Sequence, residues 1–458
     1  MREGLDLRQS ELVTDASAPT ALAQARRWAV RAVRSPDVRL ARVAAVLLGL
    51  AVVLVYVLPG LPALAAHWPM WDVRVYWWGG RQAALGGGAL YAHGAPFSFT
   101  YPPFAALLFA LGPSVGALKF ALTAGSLVAL ALLCGQSLAA AGVRLRAETI
   151  FLVSALALLT WPVAYTLHLG EVNLILAALV GADLLRPRDG GWWQGIGTGL
   201  AAGIKLTPLI FVVYMALTGR VRAAVTACVT FAVTVLAGFI WLPGRSRAFW
   251  LGGIFYDQTR IGDPANPSDQ SLGGAIARLA GAGDPPRLWW LVGVLTAGIA
   301  GLAVAVWAHR RGYRLGGFLC CAVTGLLISP ISWTHHWVWD IPLLVWLATA
   351  AWRRRPSADA GGLAGAGGLA GAGGMAGAGG LGWAVCAVGA LVGAAVFSDY
   401  TPIPWPGHPG DTGRMVASDL YVLFGLAVLI GMGGVLGRSW FGGSRGAPEP
   451  GERRGAAD

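Results

Sequence analysis

Charge is scarce in this chain. Only 12% of its 458 residues are charged, and lysine occurs twice, at Lys119 and Lys205. Beside 56% hydrophobic residues, that scarcity excludes a soluble fold of this size. The five cysteines (Cys134, Cys228, Cys320, Cys321 and Cys386) all sit in apolar runs without Cys-x-x-Cys spacing, so neither a zinc finger nor a disulfide framework is indicated. The short alternating segments of a membrane barrel are missing as well. No cleavage site follows a short apolar core near the start, so residues 1–42 read as a tail and not as a signal peptide.

What the chain has is apolar runs, recurring from Arg42 nearly to the end. A helix needs roughly 20 such residues to cross a hydrocarbon core of about 30 Å. The reading is an all-α, polytopic membrane bundle. The formal net charge of +12 comes from arginines clustered between apolar runs. They mark membrane topology rather than a nucleic-acid surface.

By the positive-inside rule, Arg26 to Arg42 keep the basic tail cytoplasmic. Arg144/Arg146, Arg186/Arg188, Arg220/Arg222, Arg310/Arg311/Arg314 and Arg353 to Arg355 mark later inner turns. The pattern predicts about ten to twelve spans with both ends inside, the first from Val43 to Leu58. The predicted organisation is a tail (1–42), a main bundle (43–355), a Gly/Ala-rich linker (356–380), a C-terminal helix pair (381–437) and a polar tail (438–458). Two stretches do not read as simple spans. Trp192 to Leu217 is interrupted by "KLTP" at Lys205 to Pro208, and the run after Asn173 is short. Broken helices at membrane depth belong where they line a cavity or are buried in protein.

Unusual polar residues collect on the predicted outer side. Trp71 to Leu85 reads as an interfacial helix with Trp71, Val75 and Trp78 on its apolar face and Asp72, Tyr76 and Gly79 on another stripe. Arg74 and Arg81 are expected to hold Asp72 ionised. Asp72 reads either as a solvated charge or as a general base. "FTYPPF" (Phe99 to Phe104) predicts an extended turn before re-entry. "HLGEVN" supplies His168, Glu171 and Asn173, and the loop from Gly244 to Arg287 adds Tyr256, Asp257, Arg260, Asp269 and Gln270. "SPISWTHHWVWD" (Ser329 to Asp340) adds Trp333, His335, His336 and Trp337. On a helix the two histidines would point about 100° apart, so one faces a cavity while the other packs. An interfacial aromatic belt is the competing reading of that motif. Lys205, at the break of a buried hairpin, calls for an anion such as a phosphate.

Taken in order, "WDVRVY", Leu90-Tyr91, "FTYPPF", "GEVN", "KLTP", "DQSL" (Asp269 to Leu272) and "SPISWTHHW" resemble glycosyltransferase family 87. This group of GT-C membrane enzymes is typified by actinobacterial polyprenyl-phosphate-mannose-dependent α-1,2-mannosyltransferases. One departure is Asp269, where the family pattern has an amide. The resemblance implies a GT-C bundle in the cell membrane with its active site facing outside. It also implies a single inverting transfer of mannose from a polyprenyl-phosphate donor to a glycolipid or envelope glycan.

Asp72 is the expected base, with His335 or His336 beside it. Lys205, Arg74, Arg81, Tyr76, Tyr101 and Asn173 are expected at the donor, and Glu171, Gln270, Trp333 and Trp337 along the acceptor cavity. Displacing a phosphate calls for such a base and such cations. The chain has no Asp-x-Asp pair, the usual grip for a metal-bound nucleotide sugar, so neither metal nor other cofactor is expected. An arabinofuranose donor, a lipid-linked sugar transporter and a structural scaffold are the rival readings. Against the transporter stands the absence of an inverted repeat.

Overall fold

The computed structural model describes residues 43, 46–47, 49–50, 70–92, 98–186, 190–257, 260–353, 380–398 and 412–443. The predicted N-terminal tail, residues 444–458 of the predicted C-terminal tail, nearly all of the predicted linker and most of the predicted first span lie outside these residues; residues 438–443, predicted as the start of the C-terminal tail, instead continue the last helix. The described helices are α1 (Trp71–Ala84), α2 (Pro103–Phe109), α3 (Val115–Ala140), α4 (Ala147–Ala157), α5 (Trp161–Leu169), α6 (Asn173–Leu184), α7 (Ile196–Ile204), α8 (Leu209–Leu217), α9 (Val221–Trp241), α10 (Pro243–Trp250), α11 (Leu272–Ala280), α12 (Arg287–Arg310), α13 (Arg314–Ile328), α14 (Asp340–Arg353), α15 (Gly380–Val396), α16 (Thr412–Ser418) and α17 (Leu420–Gly443). Among the described residues, strand pairing is limited to two isolated bridges, Thr160 with Ser398 and Asp269 with Trp333.

By length and composition α3, α9, α12 and α17 can cross a membrane, and α5 with α6 makes a fifth candidate bent by 120°. The other apolar runs are shorter. Helices of 10 to 17 residues, such as α4 and α13, fall well below the roughly 20 residues of a full crossing. The short helix α13 is buried along most of its length, whereas α9 and α12 expose rows of valine, leucine and isoleucine as a lipid-facing surface requires.

Helix α1 forms where the interfacial helix was predicted, but its orientation differs. Val73, Tyr76, Gly80 and Ala83 face the core, while Trp71, Val75 and Trp78 are only half-buried. Glycine explains the close packing around it. At Gly170, between α5 and α6, φ is +71°, and an added Cβ would lie 2.2 Å from Val73 and 2.7 Å from Met70. The chain can therefore turn sharply against the start of α1, which brings Glu171 towards Asp72.

A second glycine device holds the broken hairpin. Gly195, Gly199 and Gly203 recur every four residues, and a Cβ at each would come within 2.4 Å of Ala223, Ala227 or Thr234 on α9. This small-residue stripe lets α7 lie directly on the α9 backbone. The helix then ends at Lys205, and α8 restarts after Pro208, as the "KLTP" break predicts.

The C-terminal helices are built into the bundle. Buried Arg278 on α11 pairs with buried Asp419 and donates to the carbonyls of Asn266 and Asp269, each at 2.8 Å. Gln270 donates to Ser418 O at 2.7 Å and accepts from Tyr421 N at 3.0 Å. Removing one partner of a buried ion pair leaves a charge without compensation. Asp419→Ala should therefore destabilise the protein by about 3–5 kcal/mol, read as a large fall in Tm in detergent. The charge-free double variant Arg278→Met/Asp419→Leu should recover part of that loss.

Candidate active site

Three interruptions of helix converge: the α5/α6 bend, the α7/α8 break and the turn between α13 and α14. At their meeting point Lys205 Nζ lies 2.8 Å from Glu171 Oε1, 3.1 Å from Asn173 Oδ1 and 3.1 Å from His336 Nε2. Tyr101 donates to the same Glu171 oxygen at 2.8 Å and Tyr76 at 3.3 Å, with 3.0 Å between the two hydroxyls. Burial beside Glu171 pushes both phenols above their ordinary range, so they remain protonated donors.

This cluster forms part of the wall of a cavity of about 490 Å³ that also holds Asp72, Arg260, His335, Trp71, Tyr165 and Trp333. Lys205 and His336 also border a smaller cavity of about 40 Å³, together with Asn173 and Ser332. Glu171 Oε2 and His335 Nδ1 are buried without a hydrogen-bond partner among the described residues. Orphaned groups of this kind are commonly satisfied by water or a ligand.

Asp72 departs from expectation. Burial and the neighbouring Glu171 carboxylate raise its pKa to about 8, outweighing the opposite pull of Lys205. The depression expected from Arg74 and Arg81 is absent because both are exposed on α1 and neither borders the cavity. Arg74 lies instead over the Trp71 ring, 5.3 Å from its centroid.

The histidine pair differs too. Thr334–His336 is a short 3₁₀ turn and not α-helix, so both imidazoles reach the large cavity. The carbonyl of His335 is held by Thr166 at 2.9 Å and Asn173 at 2.8 Å. Burial lowers His335 to a pKa of about 4 and holds His336 well below the ordinary imidazole range, so both are neutral and add hydrogen bonds rather than positive charge. Glu171, His335 and His336 bring ligand atoms within 4.8 Å of one another, a spacing that could hold a metal ion. The Lys205 ammonium, however, already contacts Glu171 and His336, so a metal there would have to displace it.

Of the other expected residues, Tyr101, Glu171, Lys205 and Trp333 border the cavity, and Tyr76 and Asn173 support it from behind. Gln270 and Trp337 do not border it. Gln270 is fully buried against Ser418 and Tyr421, and Trp337 packs on Phe397 and Tyr421. Asp269 is a backbone clamp, accepting from Ser332 N at 2.7 Å and Ser271 N at 3.0 Å. Two cavity residues carried no distinct signal in the sequence. Arg260 was one of several charges in a long loop, and Tyr165 lay inside an apolar run.

The family model for glycosyltransferase family 87 matches residues 99–330. Asp72 and the histidine pair flank that stretch, and the fold brings them to the same cavity. The chain is 35% identical over 311 residues (62% of this chain, 71% of the relative) to the polyprenol-phosphate-mannose-dependent alpha-(1-2)-phosphatidylinositol mannoside mannosyltransferase of Mycobacterium tuberculosis. It is 37% identical over 292 residues (60% of this chain, 68% of the relative) to the corresponding phosphatidylinositol pentamannoside mannosyltransferase of Mycolicibacterium smegmatis. No solved structure matches it.

Infrared difference spectra should show a protonated carboxyl band at pH 7 that fades as pH rises through about 8 and is missing in Asp72→Asn. Glu171→Gln removes the negative charge that raises Asp72, so the band should fade at lower pH.

Proposed function

The chain belongs to glycosyltransferase family 87, and from that premise we propose that it transfers mannose from a polyprenyl-phosphate mannose to a hydroxyl of a membrane glycolipid. The glycosyltransferase assignment follows from the family, and the relatives use polyprenol-phosphate mannose. Their acceptors, phosphatidylinositol mannosides, make an acceptor of that class the leading candidate. We place the reaction at the outer face of the cell membrane, with both ends of the chain inside, on the strength of the arginine pattern.

The observation that carries the reading is the half-buried Asp72 carboxyl on the wall of the same cavity as Lys205, Arg260 and the two histidines. A carboxylate with a pKa of about 8 is a strong enough base to take a hydroxyl proton as a bond forms, yet is partly ionised near neutrality. In the proposed step the acceptor oxygen bonds to the anomeric carbon while its proton passes to Asp72. The bond from that carbon to the phosphate oxygen breaks, its electron pair leaving with the polyprenyl phosphate. One displacement inverts the anomeric centre, with no covalent enzyme intermediate.

Trp71, Tyr165 and Trp333 offer aromatic faces to the sugars, and His335 offers a neutral imidazole for a hydroxyl or a phosphate oxygen. Lys205 holds Glu171 ionised and orients His336. Its ammonium also supplies positive charge where a metal would otherwise sit, which supports metal-independent transfer.

The test is transfer of radiolabelled mannose from synthetic polyprenyl-phosphate mannose to a membrane glycolipid extract. Asp72→Asn at equal expression should lower incorporation by about 10²-fold or more. The wild-type rate at subsaturating substrate should rise with pH and level off above about 8, because the base must be deprotonated. Transfer should persist in excess chelator. Incorporation by Asp72→Asn at the wild-type rate would remove Asp72 as the base, and strict loss on chelation would overturn metal independence.

A further inference from the structure

On that reading of the reaction, we propose that Glu171 and His335 together bind one hydroxyl of the transferred sugar, the one on the carbon beside the anomeric centre. Glu171 is then a specificity-determining residue for the donor and not for the acceptor. Glu171 and His335 are 1% and 8% exposed, and both border the large cavity. Glu171 Oε2 and His335 Nδ1 are buried there without a hydrogen-bond partner among the described residues. Such atoms cost stability unless water or a ligand meets them.

The protein supplies the other carboxylate oxygen. Glu171 Oε1 accepts from Lys205 and Tyr101 at 2.8 Å each and from Tyr76 at 3.3 Å, which holds the group in place and leaves Oε2 over. Asp72, the other acid on this wall, cannot fill the gap in its reacting form, because an ionised carboxylate has no proton to donate. His335 is held from both sides. Its carbonyl accepts from Thr166 at 2.9 Å and Asn173 at 2.8 Å, and its ring meets Tyr165 and His336 edge-on with centroids 5.5 and 4.8 Å apart. The two orphaned atoms are therefore preset features of the cavity wall.

Their chemistry selects a hydroxyl. A phosphate oxygen has no proton for Glu171 and would be repelled by it, whereas a hydroxyl donates to the carboxylate and accepts from the N–H of a neutral imidazole. The reach agrees. A carboxylate oxygen of Glu171 and a ring nitrogen of His335 lie within 4.8 Å of each other, and one oxygen at about 2.8 Å from each of two atoms spans up to about 5.6 Å. Position selects which hydroxyl. The turn at Gly170 packs against Val73 and Met70 and so brings Glu171 towards Asp72. With Asp72 taking the proton of the incoming oxygen, the anomeric carbon lies between the two acids, and the nearest free hydroxyl is on the neighbouring carbon. That hydroxyl is axial in mannose and equatorial in glucose, so the contact reads the configuration of the sugar. Hydrogen bonds to it also strengthen as positive charge develops on the ring.

The experiment measures kcat/KM for the full-length protein in lipid nanodiscs with synthetic polyprenyl-phosphate mannose and with its 2-deoxy and 4-deoxy counterparts. Comparing the preference between wild type and variant cancels the intrinsic reactivity of each deoxy sugar. Glu171→Gln should lower the preference for mannose over the 2-deoxy donor by about tenfold, the difference between a charged and a neutral acceptor. Its preference over the 4-deoxy donor should stay within about threefold of wild type. His335→Phe keeps the ring contacts, removes both nitrogens and should lower the 2-deoxy preference by a smaller factor.

Full wild-type preference in either variant would mean that the orphaned atoms hold only water, and would overturn the pairing while leaving the donor class intact. A fall confined to the 4-deoxy comparison would do the same. A wild type that transfers from none of these donors would remove the donor reading itself, and this proposal with it. A second measurement needs no variant and so does not depend on how the variants fold. The wild type should bind polyprenyl-phosphate mannose about fivefold or more tightly than the 2-deoxy donor, and equal affinities would rule out the contact.

Discussion

The site depends on one buried ion pair. Glu171 and Lys205 meet at 2.8 Å with side-chain exposures of 2% and 15%, where leaving either charge uncompensated would cost several kcal/mol. Their Coulomb attraction alone does not cover that cost, so the remaining hydrogen-bonding capacity must be met nearby. Two tyrosines complete one oxygen of Glu171, and Asn173 and His336 complete Lys205. Each of these partners is held in place by another element, so the pair fixes the relative positions of α1, the α5/α6 bend, the α7/α8 break and the 334–336 turn.

The same requirement explains why the helices break where they do. Unpaired backbone groups are tolerated at membrane depth only when protein or a cavity satisfies them. The three interruptions share one location and stabilise one another. The carbonyl of His335 takes up Thr166 and Asn173, and the backbone N–H groups of Ser332 and Ser271 end on the Asp269 carboxylate. Asp269, where an amide was expected, thus serves backbone geometry and does not border the cavity.

Much of this was legible in the sequence, and the misses have physical causes. Proline and lysine in an apolar run marked the α7/α8 break, because neither continues a lipid-facing helix. Asp72, Lys205 and the histidines stood out because polar groups are expensive in such surroundings. Periodicity placed α1 but not its buried face, since Trp71, Val75 and Trp78 are as apolar as the face that packs inward. Arg74 and Arg81 were assigned to the site by nearness along the chain, whereas Arg260, distant in sequence, is the arginine the fold delivers. The histidines were read on an α-helical period that a 3₁₀ turn does not obey.

The clamp between α11 and the C-terminal helices has a consequence for how the molecule is assembled. The turn bearing His335 and His336 is backed by Trp337, whose ring packs against Phe397 and Tyr421, and by Asp269 and Gln270, which are tied through Arg278 to Asp419 and directly to Tyr421. These supports come from helices that leave the ribosome after the turn itself. The turn therefore reaches its final shape only after α17 has been inserted, and a chain interrupted before that point would carry every side chain of the cavity without the arrangement that brings them together.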